Sequence, residues 1–179
     1  MDSFGEKIVE KFRKVRDKRL KNWGVFFVNI GVSANMMTTL AMLLGLGAIY
    51  FLFTNFWLFF ILASLHLIAD SLDGMIARAS KPTIFGKYFD HISDRLVTLG
   101  VLFKIFWFFG NYYVLIALGI FLLAQIIHLA TKLESPILRV RTIVLVIVAL
   151  NLPTIAYLTV GISNAYALIL QIKWYQNSS

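Results

Sequence analysis

Six long apolar runs, parted by brief polar interruptions, follow a charged opening segment. The interruptions fall at Thr54-Asn55, at Lys81-Pro82, at Gly110-Asn111, at Glu134-Ser135-Pro136 and between Pro153 and Gly161. They divide the chain into stretches 34–54, 57–79, 86–109, 112–132, 137–156 and 158–175. Each is close to the ~20 residues a helix needs to cross the hydrocarbon core of a bilayer. The last two are separated only by Asn151, Pro153 and Thr154 in an otherwise continuous apolar run. Ahead of them, Phe4, Ile8, Phe12 and Val15 recur at helical spacing, with Lys and Arg on the remaining faces. That pattern predicts an amphipathic helix over 4–22 lying on an anionic membrane surface, with Trp23, Phe26 and Phe27 as interfacial anchors. The expected architecture is an all-α membrane protein: an interfacial helix, then a six-helix membrane bundle over 34–175, in one domain spanning 1–179.

Composition supports that reading. Of 179 residues, 59% are hydrophobic, and the mean hydropathy of +0.78 is too high for one soluble domain of this length. There is no cysteine, which excludes disulfides and thiolate metal sites. The net charge of +8 invites a nucleic-acid reading, but its placement points elsewhere. Sixteen of the 17 basic residues fall on one side of the expected topology, with only Lys104 towards the other, where it can snorkel outward. The bias predicts six spans with both termini cytoplasmic.

Against this background the acidic residues stand out. The chain has nine, four of them in the N-terminal segment. Four of the remaining five are Asp70, Asp73, Asp90 and Asp94. Asp70 and Asp73 are three apart and Asp90 and Asp94 four apart, so each pair shares a helix face on either side of a short turn. Carboxylates at or below headgroup level are costly and point to function. Left unpaired they would repel one another, and divalent cations would hold them together. Hard oxygen ligands suit Mg²⁺ or Mn²⁺ and not zinc. Gly74 and Ala77 continue the first face and Gly86 begins the second, serving either close helix packing or the approach of a ligand to the backbone. Two ions with Arg78 would form a clamp for a pyrophosphate.

Asp70-x-x-Asp73-Gly74-x-x-Ala77-Arg78, followed by Gly86-x-x-x-Asp90-x-x-x-Asp94, resembles the signature of the CDP-alcohol phosphotransferase family at eight defined positions. The resemblance extends to the six spans, the preceding amphipathic helix and the length. It implies an enzyme of phospholipid biosynthesis that takes a CDP-alcohol, CDP-diacylglycerol or CDP-archaeol, transfers its phospho-alcohol group to a second alcohol and releases CMP. By matching positions, Asp70, Asp73, Asp90 and Asp94 would hold two metal ions, and Asp94 would be the general base for the acceptor hydroxyl. Gly74, Ala77 and Gly86 would shape the cytidine site, and Arg78 would bind the donor phosphates. The family leads one to expect a homodimer; the topology puts the aspartates at the cytoplasmic face, and the placement of the charge leaves no role for nucleic acid.

Two positions depart from the pattern. Seven residues (Ala79 to Phe85) separate Arg78 from Gly86, where the family commonly has one more, and Ala34 replaces the proline of a Pro-Asn-x-x-Thr segment. Asn35 and Thr38 of that segment are either helix-start residues after an N-cap at Ser33 or nucleotide ligands. Lys132, Arg139 and Arg141 form a basic cluster, and Arg139-Val-Arg141-Thr142 is similar to the Lys-x-Lys-Thr of members using glycerol phosphate. Such a cluster suits a phosphorylated acceptor, glycerol 3-phosphate or inositol phosphate, over serine or choline. His66, four before Asp70, either orients it or satisfies a hydrogen bond in the bundle, and Gly45 and Gly47 suggest a close helix contact. Two rival readings are an aspartate-rich membrane prenyltransferase and a divalent-cation carrier. The first would need more spans. The second should place its acids near the midplane with access from both sides.

Overall fold

The computed structural model describes residues 22–80, 83–131 and 140–178. The interfacial helix expected over 4–22 thus lies outside the described residues except for its last position, and so do Lys132 and Arg139. All regular structure among the described residues is helical. A short helix α1 (22–29) precedes α2 (Ala34–Phe51), α3 (Phe56–Ala79), α4 (Ile84–Phe109), α5 (Tyr113–Thr131), α6 (Val140–Ala149) and α7 (Pro153–Ser178).

The helix ends are set by residues that satisfy the orphan backbone groups of the first turn. Ser33 Oγ accepts the amide of Met36, Asn55 Oδ1 that of Leu58, and Thr83 Oγ1 that of Gly86, so α2, α3 and α4 each open on a polar N-cap. Gly110, at φ +63°, follows the last residue of α4 in the left-handed conformation that closes many helices.

The fifth and sixth apolar stretches part earlier than the expected boundary at residues 156 to 158. α6 stops at Ala149, Asn151 adopts φ +59°, and Pro153 opens α7. The physical reason is proline itself: its missing N–H costs nothing in a first turn, whereas inside a helix it removes a bond and clashes. Gly161, the other candidate breaker, sits within α7, where a Cβ would lie 3.5 Å from that of Ala117.

The chain divides into two compact units. One comprises the described residues up to Leu44 together with those of Ser64–Ser93. Its core is Met37, Ala41, Ala69 and Ile76, with Phe27, Val28, Val32 and Leu72 packed against it. Here α1 lies against α3 at van der Waals limits. A Cβ on the buried Gly24 would sit 2.5 Å from the Met75 carbonyl oxygen and 3.0 Å from the Ala79 Cβ.

The other unit comprises Gly45–Ala63 and Asp94 onwards. In it α7 packs on α5 and α6. Beyond Ala156 in its first turn, the buried positions of α7 are Tyr157, Val160, Asn164, Ala167 and Gln171, and those of α5 are Val114, Ala117, Phe121 and Ala124. Both follow the alternating three-and-four spacing of a knobs-into-holes seam. Asn111 Nδ2 donates to the Tyr157 hydroxyl at 3.2 Å, and Gln125 Nε2 to Asn164 Oδ1 at 3.5 Å. Polar pairs of this kind hold helices together where apolar surface gives no preference between protein and lipid. Tyr50, Trp57, Trp107, Tyr112 and Tyr113 are exposed near helix ends, as interfacial aromatics are. Lys104 Nζ donates to the Tyr50 carbonyl at 3.2 Å.

Three helical stretches, Ala34–Phe51, Phe56–Ala79 and Pro153–Lys173, are long and apolar enough to cross a membrane, each with a mean hydropathy of 1.5. α5 and α6 supply shorter apolar stretches, and α4 carries Asp94, Arg95 and Lys104 within its apolar run. Together these helices mark an integral membrane protein.

Gly24→Ala is expected to destabilise the protein by about 1–3 kcal/mol, because the added methyl meets a backbone carbonyl that cannot step aside. Gly100→Ala, whose Cβ would meet only the flexible end of Ile49 at 2.7 Å, should cost clearly less. Thermal unfolding of both variants in detergent checks this, and equal shifts would count against α1–α3 contact as the cause.

Candidate functional site

The site is built from three helix segments of the first unit. α2 supplies Asn35 and Thr38, α3 supplies Asp70, Asp73, Gly74, Ala77 and Arg78, and the start of α4 supplies Gly86 and Asp90. With the exception of Asp70, all of these residues line one cavity of about 830 Å³. That volume lies within the ~300–1,000 Å³ usual for small-molecule and cofactor sites.

Helix geometry explains the convergence. Asp73, Gly74, Ala77 and Arg78 fall at positions i, i+1, i+4 and i+5, one stripe of α3, and the two small side chains leave the backbone accessible. A Cβ on Gly74 would lie 3.5 Å from Arg78 Nη1, so the space beside this glycine is bounded by the guanidinium. Gly86 is small for a different reason. A Cβ there would stand 2.8 Å from Asn35 Oδ1 and 3.0 Å from Thr83 Oγ1. The start of α4 is therefore fitted against the Asn35 amide.

Asp73 is buried at 5% exposure and would be costly there without a partner. Thr38 Oγ1 donates to Asp73 Oδ2 at 2.9 Å, and it also lies 3.0 Å from the Ala34 carbonyl. The hydroxyl has a single proton, and an ionised carboxylate can only accept, so Asp73 has first claim on it. Three residues further along α2, the Ala41 carbonyl meets His66 Nδ1 at 2.7 Å. A carbonyl accepts only, which makes Nδ1 the protonated nitrogen. Of the two roles expected for His66, this contact is the helix-to-helix hydrogen bond. Thr38–Asp73 and Ala41–His66 are thus two rungs tying α2 to α3 on one side of the cavity.

A carboxylate oxygen of Asp70 and one of Asp90 lie within 4.8 Å of each other. Two hard oxygen donors gathered this closely suit a hard divalent ion such as Mg²⁺ or Mn²⁺. Asp94 lies one helical turn beyond Asp90 on α4 and belongs to the second unit. There it forms an ion pair with Arg141 Nη1, at the start of α6. Of the expected basic cluster only Arg141 is among the described residues, and it is buried.

Sequence reasoning missed several residues. Lys87 lines the cavity with Arg78 and adds a second cation to its rim, although the sequence pattern counted it only among orienting charges. Its position directly after Gly86 was the available signal. Ser33 and Thr83 also line the cavity while capping α2 and α4. Asn35 and Thr38 sit in the first turns of α2, as helix-start residues do, and both also line the cavity.

Apolar helices that carry a cavity bordered by carboxylates and cations define a membrane protein equipped to handle a phosphorylated ligand. The comparison with known sequences gives it a family. The profile of CDP-alcohol phosphatidyltransferase matches residues 31–173, and the chain belongs to that family, whose members are transferases of phosphate-containing groups. It is also similar to an uncharacterised protein of Aquifex aeolicus, 39% identical over 72 residues, which are 39% of this chain and 37% of that protein. A second relative is archaetidylinositol phosphate synthase of Pyrococcus horikoshii, 32% identical over 100 residues, 55% of this chain and 53% of the relative. The matched segments thus span about a third to a half of the curated relatives.

Thr38→Val keeps the shape of the side chain but strands the Asp73 carboxylate. It is expected to cost about 1–3 kcal/mol of stability and to lower activity roughly 10–100-fold, as loss of a hydrogen bond that orients a site carboxylate does. Thr38→Ser should retain most of both. Thermal unfolding and CMP-release assays on the pair check this. A Thr38→Val protein indistinguishable from the parent would show that Asp73 does not depend on the hydroxyl.

Proposed function

We propose that this protein transfers the phospho-alcohol group of a CDP-alcohol lipid, phosphatidyl or archaetidyl, to a hydroxyl of a small polar acceptor and releases CMP. The observation that carries the reading is the single cavity lined by Asn35, Thr38, Asp73, Gly74, Ala77, Arg78, Gly86 and Asp90, with the Asp70 and Asp90 carboxylates within 4.8 Å of each other. Seven-residue spacing between Arg78 and Gly86 does not prevent both from bordering that cavity.

In this reading Asp70, Asp73, Asp90 and Asp94 hold two Mg²⁺ or Mn²⁺ ions. When bound, such ions neutralise the diphosphate and stabilise charge on its oxygens. The chain's own groups do the rest. Gly74, Ala77 and Gly86 leave room for the cytidine, and Asn35 presents its amide to the cavity. Arg78 meets the donor phosphates with a planar fork of N–H donors suited to phosphate oxygens. Asp94 takes the proton of the attacking hydroxyl as its oxygen bonds to the phosphorus bearing the lipid alcohol. The bond from that phosphorus to CMP breaks, and CMP leaves with the electron pair.

The acceptor we favour is a polyol phosphate. Arg141, with Lys132 and Arg139 close to it in sequence, would hold its phosphate through charge-assisted hydrogen bonds. The relative named archaetidylinositol phosphate synthase favours an inositol phosphate over glycerol 3-phosphate and an ether lipid over a diacyl one. Six spans, cytoplasmic termini, a cytoplasmic site and a homodimer complete the reading. The rival carrier and prenyltransferase readings draw no support from the family match.

CMP release by the purified protein, supplied with CDP-archaeol or CDP-diacylglycerol, Mg²⁺ and one acceptor at a time, tests the proposal. Asp94→Asn is expected to lower the rate by roughly 10²–10⁴-fold, the usual contribution of a positioned general base, while CMP still binds. Chelation of divalent ions should abolish turnover. Undiminished release by Asp94→Asn would remove Asp94 from the chemistry.

A further inference from the structure

Among the described residues Arg141 is one of the few charged side chains that are buried, with 6% of its surface exposed, and its guanidinium Nη1 donates to Asp94 Oδ1. Asp94 itself is 35% exposed. The next residue, Arg95, lies with its guanidinium carbon 5.9 Å from the centre of the Phe121 ring. A buried guanidinium cannot simply let go of its carboxylate, because a stranded buried charge is far more costly than a paired one. It can, however, exchange one anion for another. Only Asp94 Oδ1 is engaged, and an incoming hydroxyl must compete with the guanidinium for that oxygen.

Resting on the transferase reading above, we propose that Arg141 is an acceptor-operated guard on Asp94. Without acceptor, Arg141 holds Asp94 by its Oδ1 oxygen. The phosphate of an arriving polyol phosphate, with up to two charges and three oxygens, takes over the guanidinium. Asp94 is then exposed to the acceptor's hydroxyl at the moment that hydroxyl is in place. Water and neutral polyols bring no anion, so they do not make the exchange. The guard therefore suppresses a side reaction with the same bond changes. In it, a water oxygen would bond to the phosphorus bearing the lipid alcohol, its proton would pass to Asp94, and the bond to CMP would break. The donor would be lost as free phospho-alcohol and CMP.

The exchange can be operated with its two halves supplied separately. Purified full-length protein is given CDP-diacylglycerol or CDP-archaeol, Mg²⁺ and a neutral polyol (free glycerol or free inositol), with and without phosphite dianion, and CMP release is measured. Phosphite is expected to raise release by roughly tenfold, within the usual range of coupling between separately bound ligands. In Arg141→Met the stimulation should vanish, and acceptor-free hydrolysis should rise above that of the parent protein. Arg141→Lys, which keeps the charge but not the fork, should lose most of the stimulation and covers the case in which the methionine variant does not fold. Phosphite without effect on the parent protein overturns the guard, as does stimulation that survives Arg141→Met. If polyol phosphates drive release while phosphite plus polyol does not, the guard alone falls. If no phosphorylated acceptor drives release, the transferase reading falls and the guard with it.

Discussion

Carboxylates inside a bundle of apolar helices are tolerable only if each is given a partner, and that requirement organises this molecule. Asp73 is answered by the Thr38 hydroxyl and Asp94 by Arg141. Asp70 and Asp90 stand close enough to share a cation. Each answer recruits a different element: α2 for Asp73, α4 for Asp70 and α6 for Asp94. An exposed acid makes no such demand, and a soluble protein with the same motif would have less reason to hold these helices in fixed register. In a low-dielectric surrounding an unanswered polar group costs more, so the helices that answer it are specified more sharply.

The same requirement explains why small residues recur beside the acids. Gly24 lets α1 reach the backbone of α3, and Gly86 makes room for the Asn35 amide. Without a hydrophobic driving force between helices in lipid, close backbone approach and side-chain hydrogen bonds supply the preference for one arrangement. Here both operate within a few residues of the aspartates, and the packing and the site draw on the same residues.

Much of this was legible in the sequence. The spacing of Asp70, Asp73, Asp90 and Asp94 puts each pair on one helix face, and Gly74, Ala77 and Arg78 extend the first of these faces. The cavity gathers these α3 residues with Gly86 and Asp90. What was not legible depended on contacts between helices. Nothing in the pattern around Thr38 says that its hydroxyl meets Asp73, because 35 residues separate them and period-based reasoning sees only one helix at a time. Gly24 looked like any glycine near an interfacial segment. The boundary between the last two helices was placed late because hydropathy is nearly uniform there. The turn is decided instead by backbone chemistry at Asn151 and Pro153.

The cavity also has walls of unequal tolerance. At Gly86 an added methyl would press on Asn35 Oδ1 and Thr83 Oγ1, so that side is held by two side chains that themselves line the cavity. Lys87 is exposed, and Ser33 contributes a side chain whose capping role another small polar residue can fill. A redesign of ligand preference has its freedom at these two positions. Evolutionary drift in what the pocket accepts would have to enter by the same door.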